Sequence, residues 1–265
     1  ALGRTLYACR QSLHPRCMSR PAWVEIDLAA LQANYAAAKK AHGGRVFAVL
    51  KANAYGHGAL ACAQALATAS PPADAFAVAF VEEALPLRAA GITQPILVLE
   101  GAFAADDVQL AAQHQLWLVA HQAQQLQLIE QHAGAALHIW LKVDSGMHRV
   151  GFAPHDIAAA HARLAALPQV EKVSFLTHLA RADELDTPAP TEAQLHAFHT
   201  ATANLAGWRS ISNSAAILAW PQAHQDWGRA GIMLYGAAPC ASSTALQPVM
   251  ALKSRIFAQR WLEVG

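Results

Sequence analysis

The chain is poor in charge. Lysine, arginine, aspartate and glutamate make up only 14% of its 265 residues, and the formal net charge is +1. Neither sign is in excess, so nothing marks the chain for nucleic acid or another polyanion. Cysteine is scarce as well. Cys9, Cys17, Cys62 and Cys240 are scattered and have no metal-ligand spacing. That argues against a disulfide framework or a metal site and for a reducing compartment, read here as the cytoplasm. Long apolar runs are also missing. The most apolar stretch, residues 59–81, is broken by Pro71, Pro72 and Asp74, so no helix can span a bilayer. No G-x-G-x-x-G turn follows a strand, and no G-x-S-x-G elbow, P-loop or zinc-binding helix is present. Hydrolase and nucleotide-binding readings therefore have little support.

What is present is an alternation. Short β-like runs cover 46–50, 75–80, 95–99, 116–120, 137–143, 170–177 and 208–211, with an eighth near 227–234. Helix-like segments lie between them, at 59–68, 81–90, 106–113, 122–132, 158–167 and 191–205. Eight β-α repeats in a chain of this length predict an α/β fold, a (β/α)8 TIM barrel over residues 29–244, ahead of an open doubly wound sheet. Two segments fall outside the repeat. Residues 18–28 carry a Trp-Val-Glu-Ile-Asp alternation, and 248–264 reads as a further strand. Both are assigned to a second, β-rich domain, which would open at 245–265. Residues 1–17 carry arginines and cysteines but no apolar core, so they are no secretory signal. They are set aside as a leader extension, with Met18 as the expected natural start.

In barrels the chemistry sits where strands end. The first barrel strand runs into Lys51-Ala-Asn-Ala-Tyr55-Gly-His-Gly58. A lysine at the end of a buried strand is costly unless used. Buried lysines also lose their proton readily, as Schiff-base chemistry requires. Lys51 is thus the candidate for linking a cofactor. The fifth strand leads into Lys142-Val-Asp-Ser-Gly-Met-His-Arg149-Val-Gly, and the sixth ends at Thr177-His178. The seventh is followed by Ser212-Asn213-Ser214-Ala215, and the eighth carries Arg229-Ala-Gly231-Ile232. The loops after strands 7 and 8 are where barrels commonly bind phosphate.

These motifs, in this order from about Met18 onward, resemble those of the alanine racemases, fold-type III enzymes that use pyridoxal 5'-phosphate (PLP). The resemblance implies a homodimeric enzyme acting on a small amino acid and supplying D-alanine for the cell wall. It implies that Lys51 holds PLP as a Schiff base and serves as one of two proton-transfer bases. By the same resemblance, Tyr55, Asn213, Ser214 and the Gly231 and Ile232 amides belong to the cofactor site, most of them at its phosphate. His178 packs on the pyridine ring, Arg149 lies near the phenolic oxygen, and Lys142 matches a lysine that is carbamylated in many relatives. Arg229 faces the ring nitrogen. Arginine does not give up its proton, so that nitrogen stays unprotonated and side reactions of the carbanion are restrained.

Taken singly, several of these residues have plainer readings. Tyr55 could be an ordinary strand-end aromatic, His178 a satisfied core histidine and Lys142 an ion-paired lysine. His57 and Asp144 are read as turn-stabilising. Glu82 and Glu83 open a helix, where acids suit the macrodipole, and receive no catalytic role. The second racemase base, implied to be a tyrosine from the partner's β domain, has no counterpart among Tyr7, Tyr35, Tyr55 and Tyr235. The expectation is a truncated racemase barrel, impaired on its own. A non-catalytic PLP-homeostasis barrel and a racemase of broader amino-acid specificity stand as alternatives.

Overall fold

A computed structural model describes residues 5–7, 21–241 and 244–264. The proposed leader and Met18 lie outside these residues apart from one strand, β1 (Thr5–Tyr7), which pairs antiparallel with β2 (Ala22–Ile26). Helix α1 (Leu28–His42) follows, capped by the Asp27 carboxylate, which accepts from the Ala29 and Ala30 amides at 3.0 Å.

Eight parallel strands then alternate with helices. They are β3 (Arg45–Val49), β4 (Ala75–Val78), β5 (Ile96–Val98), β6 (Leu116–Ala120), β7 (Leu137–Lys142), β8 (Val170–Leu176), β9 (Arg209–Ser210) and β10 (Trp227–Ala230). A short helical turn, α2 (Lys51–Tyr55), and helix α3 (Ala59–Ala67) follow β3. Helices α4 (Val81–Ala89), α5 (Ala105–Gln113), α6 (Ala123–Glu130), α7 (Ile157–Ala165), α8 (Ala189–Thr202) and α9 (Ser214–Ala219) follow the later strands in turn. Strands pair in the order β10-β3-β4-β5-β6-β7-β8-β9. The predicted barrel is therefore present, and each strand lies where its apolar run placed it. The seam between β9 and β10 has no ladder. It is bridged by the Arg229 amide donating to the Ser212 carbonyl (2.9 Å).

The core has two layers, as strand alternation requires. Val46, Ala48, Phe76, Val78, Ile96 and Val98 face the helices. Phe47, Val49, Ala75, Ala77, Leu97, Val119, Trp140, Leu176 and Trp227 fill the barrel's interior. At the end where strands begin, Trp117, Trp140 and Trp227 crowd around Phe47, and Trp208 packs on Trp117 and Trp227. The Arg45 guanidinium lies 4.2 Å from the Trp208 ring centre and closes that end.

One expectation is corrected. Residues 248–264 do not form one strand. Only β11 (Met250–Ser254) does, pairing with all five residues of β2. A strand extends no further than its partner, and β2 stops at Ala22. The Arg255 amide still donates to the Pro21 carbonyl (3.0 Å), but among the described residues no strand continues past Ser254, and Ile256, Phe257 and Trp261 are exposed.

Candidate active site

The alternation that fills the barrel also equips its far end. Phe47 and Val49 point inward, and the same parity carries on to Lys51. His138 and Trp140 lead to Lys142, Leu176 leads to His178, and Trp227 leads to Arg229. Above the apolar floor of Val49, Leu99 and Leu176 lies a cavity of about 350 Å3. Lys51, Lys142, Arg149, His178 and Arg229 line it. So do Tyr55, Asn213, Ser214, Gly231 and Ile232. All ten residues singled out from the sequence thus meet at one place.

Lys51 reaches the cavity from an unusual turn. Ala52, Asn53, Ala54 and Tyr55 all have φ between +52° and +55°, so α2 is a turn of left-handed helix built from non-glycine residues. Each such residue costs roughly 1–2 kcal/mol, so the surroundings must hold the turn in place. Several contacts do. The Glu83 carboxylate accepts from the Ala52 amide (2.8 Å), and Asn53 Oδ1 accepts from the Ala59 amide (2.8 Å). His57 Nδ1 lies 3.0 Å from the Ala54 carbonyl oxygen, which gives His57 the turn role expected of it. The Tyr235 ring packs on both Tyr55 and His57, and its hydroxyl donates to the Val49 carbonyl (2.8 Å).

Burial falls on a different lysine from the one expected. Lys51 is half-buried, whereas Lys142 is 7% exposed and its Nζ has no hydrogen bond among the described residues. Burial lowers the Lys142 ammonium to about 8, helped by Arg149 and Arg229 and opposed by Glu100 and Asp144. His178 is held neutral. Burial, followed by Arg229, Lys142, Arg149 and Lys51, lowers it to about 3. Against these four cations the cavity wall offers two carboxylates, Glu100 and Asp183, so the site favours an anion.

Arg229 is fixed from below. Nη1 donates to the Ser210 carbonyl (2.9 Å) and hydroxyl (2.7 Å), and Nη2 donates to the Thr177 and Ile211 carbonyls. No acceptor among the described residues takes its Nε–H. Burial, then Arg149, lowers its pKa to about 10, which leaves it charged at neutral pH. Arg149 itself is exposed, on a loop pinned by Asp144, which accepts from the Gly146 (3.1 Å) and His148 (2.9 Å) amides. Asp144 is thus a turn residue, as read from the sequence. Gly151 is required nearby, since at φ +137° a Cβ would meet the Asp144 nitrogen at 2.6 Å.

Past the end of β10, the neighbour of β3, Ser214 Oγ accepts from the Gly231 amide (3.0 Å), and a Cβ on Gly231 would stand 3.0 Å from the Tyr55 hydroxyl. The bare glycine therefore leaves a hollow between two hydroxyls. Asn213 lines the cavity, but its amide is engaged on both sides. Oδ1 caps α9 at the Ala216 amide (3.0 Å), and Nδ2 donates to the Leu179 carbonyl (3.1 Å). Among the described residues no three His, Cys, Asp or Glu side chains are grouped to hold a metal ion, and no helix is long and apolar enough to cross a membrane.

A family model described as "Alanine racemase, N-terminal domain" matches residues 26–239. The chain belongs to the alanine racemase family. It is 54% identical to the alanine racemase of Azoarcus sp. (strain BH72) over 248 residues, which cover 93% of this chain and 69% of that protein. It is 51% identical to the catabolic alanine racemase of Pseudomonas aeruginosa over 251 residues, with the same two coverages. The crystal structure of the biosynthetic alanine racemase from Pseudomonas aeruginosa superposes with a TM-score of 0.82 at 45% identity, covering 88% of this chain and 66% of that one. The chain thus spans about two thirds of the length of these family members.

Four residues of the site were not assigned to it from the sequence. Glu100 and Asp183 are carboxylates at the cavity wall, Tyr235 stacks under the lysine turn, and Glu83 holds that turn. Only Glu83 left a signal, its position in the first turn of α4, and the macrodipole reading accounted for that position without a partner across the fold.

Proposed function

We propose that the chain is the cofactor-binding part of a PLP-dependent alanine racemase, interconverting L- and D-alanine. The observation that carries this reading is the convergence of Lys51, Arg229 and the Ser214–Gly231–Tyr55 hollow on one electropositive cavity. Three features of that cavity fit PLP. Its cationic walls suit a phosphate dianion, the hollow at Gly231 suits a phosphate oxygen between hydroxyls and amides, and the free Nε–H of Arg229 suits a pyridine nitrogen. PLP, when bound, draws electrons from the substrate's α-carbon and so acidifies the proton there. Lys51 Nζ holds the cofactor and carries that proton on one face. Tyr55, Ser214 and the Gly231 and Ile232 amides hold the phosphate. His178, neutral, packs without adding charge. The depressed Lys142 amine suits carbamylation, in which nitrogen bonds CO2 and a proton leaves, and the resulting carbamate would orient Arg149. The relatives' names favour this reading over a non-catalytic PLP barrel.

Tyr35 and Tyr235 spend their hydroxyls on the Val46 and Val49 carbonyls, and Tyr55 shares a turn with Lys51. Among the described side chains no tyrosine faces Lys51 as a second base. The reading therefore includes a homodimeric cytoplasmic enzyme, serving cell-wall precursor supply, whose partner supplies that base.

Borohydride reduction of the 265-residue chain with PLP, followed by peptide mass spectrometry, should place the label on Lys51. A label on another lysine sinks the assignment. The same chain should racemise alanine slowly or not at all. A second expectation concerns the phosphate end. Gly231→Ala fills the hollow and should weaken PLP binding at least tenfold in a spectral titration. Unchanged affinity would put the phosphate elsewhere.

A further inference from the structure

Glu83 sits at the third position of α4, where a glutamate commonly folds back on its own helix start. One oxygen does that, with Oε2 accepting from the Ala79 amide at 2.7 Å. A cap needs no more. Yet Oε1 reaches 31 residues back along the chain and accepts from the Ala52 amide at 2.8 Å. That amide belongs to the peptide joining Lys51 to the first left-handed residue. One carboxylate thus ties the end of β4 to the turn after β3.

We propose that Glu83 is a positioning residue for Lys51. It acts through the backbone, touching neither cofactor nor substrate. Three observations support it. The Ala52–Tyr55 run has four consecutive positive φ values without a glycine, so it persists only where contacts impose it. The other side-chain contacts act further along, Asn53 Oδ1 on Ala59 and His57 on Ala54 and Tyr55, and the bonds across the start of the turn are main-chain ones, the Ala54 amide to the Leu50 carbonyl (2.7 Å) and the Gly56 amide to the Ala52 carbonyl (3.0 Å). Only Glu83, among the described side chains, grips the turn at Ala52, next to Lys51. Finally, a carboxylate can serve two donors at once, whereas an amide offers a single acceptor oxygen.

This inference rests on Lys51 being the cofactor lysine, and the test separates the two ideas. Backbone amide exchange is followed by NMR on the 265-residue chain and on Glu83→Ala. The rate at which PLP and borohydride label Lys51 is measured beside the rate at Lys172, at the other end of the barrel. Expected for Glu83→Ala are exchange at Ala52 at least tenfold faster and labelling of Lys51 at least tenfold slower, with Lys172 unchanged. A simple helix cap would free Ala79 and leave both Lys51 readouts within twofold of the parent, which would overturn the proposal. Glu83→Gln keeps length and one acceptor and should recover part of the Lys51 rate. If Glu83→Ala does not fold, Glu83→Gln is read alone, and parental protection at Ala52 together with parental labelling counts against the idea. A parent chain that labels elsewhere than Lys51 refutes the functional reading, while the exchange data still decide whether Glu83 holds the turn.

Discussion

Arg229→Gln is expected to destabilise the fold by on the order of 3–5 kcal/mol, with no ligand present. The guanidinium closes the barrel as much as it serves the cavity. Strand β9 is two residues long and has no ladder to β10, so the seam rests on Arg229 together with the Arg209 amide, which donates to the Asp226 carboxylate (2.8 Å). Its amide bonds Ser212, and its side chain bonds Ser210, Ile211 and Thr177. Burying the charge is costly, as its lowered pKa records, and removing it recovers some of that cost. The acceptors left behind are main-chain carbonyls that cannot be mutated away, and glutamine can reach two of them at most. Loss of pairing therefore outweighs relief of desolvation. Arg229→Lys keeps a charge and three donors and should lose about half as much. Urea unfolding would measure both, and a loss under about 1 kcal/mol for Arg229→Gln would refute this account.

Acid should unfold the chain through three desolvated histidines. Burial lowers His42 to about 4, and His138 and His178 to about 3. Neighbouring cations add to the effect: Lys39 and Arg229 at His42, with His224 beside it, and Lys172 at His138. All three have folded pKa values below the unfolded value of about 6.5. Their contribution is whole above that value and is lost as pH falls from about 6.5 toward 3–4, because only the unfolded chain binds the protons. Each uncompensated proton costs about 1.4 kcal/mol per pH unit. Three together give a slope of roughly 4 kcal/mol per unit below about pH 5.5. A domain of ordinary stability, about 5–15 kcal/mol, is exhausted within a few units. Circular dichroism should show cooperative unfolding between about pH 4 and 5, and a chain that stays folded at pH 3 would contradict it. His138→Gln, which keeps a partner for the Ser174 hydroxyl now 2.9 Å from the ring, should reduce the slope by about a third.

The barrel was legible because its strands are buried on both faces and read as apolar runs. The run at 116–120 matches β6 residue for residue, and most others agree within one or two positions at each end. The eighth was drawn long because the apolar residues after Ala230 turn into a short helical segment. Helix α1 was not set apart, since its buried face mixes Leu31 and Tyr35 with Asn34 and His42 and alanines lie on every side, so the apolar contrast is small. The left-handed turn was invisible for a different reason. In Lys-Ala-Asn-Ala-Tyr only Asn53 tolerates positive φ readily, and the contacts that hold the turn include Glu83 and Tyr235, 31 residues and more away. The site residues themselves were read as a set, through motif order. The structure adds how each is engaged, separating the Nε–H of Arg229, which no described residue accepts, from the Asn213 amide, which already bonds Ala216 and Leu179.

The aromatic plug at the opposite end has an optical consequence. Four of the seven tryptophans, Trp117, Trp140, Trp208 and Trp227, stand within one cluster, with Trp117 and Trp227 ring centres 5.7 Å apart. Rings this close share their excitation, so emission from the folded chain reports chiefly on the barrel's sealed base. Fluorescence would then register opening of that base, while events around Lys51, which has no tryptophan beside it, would need the absorbance of whatever is bound there.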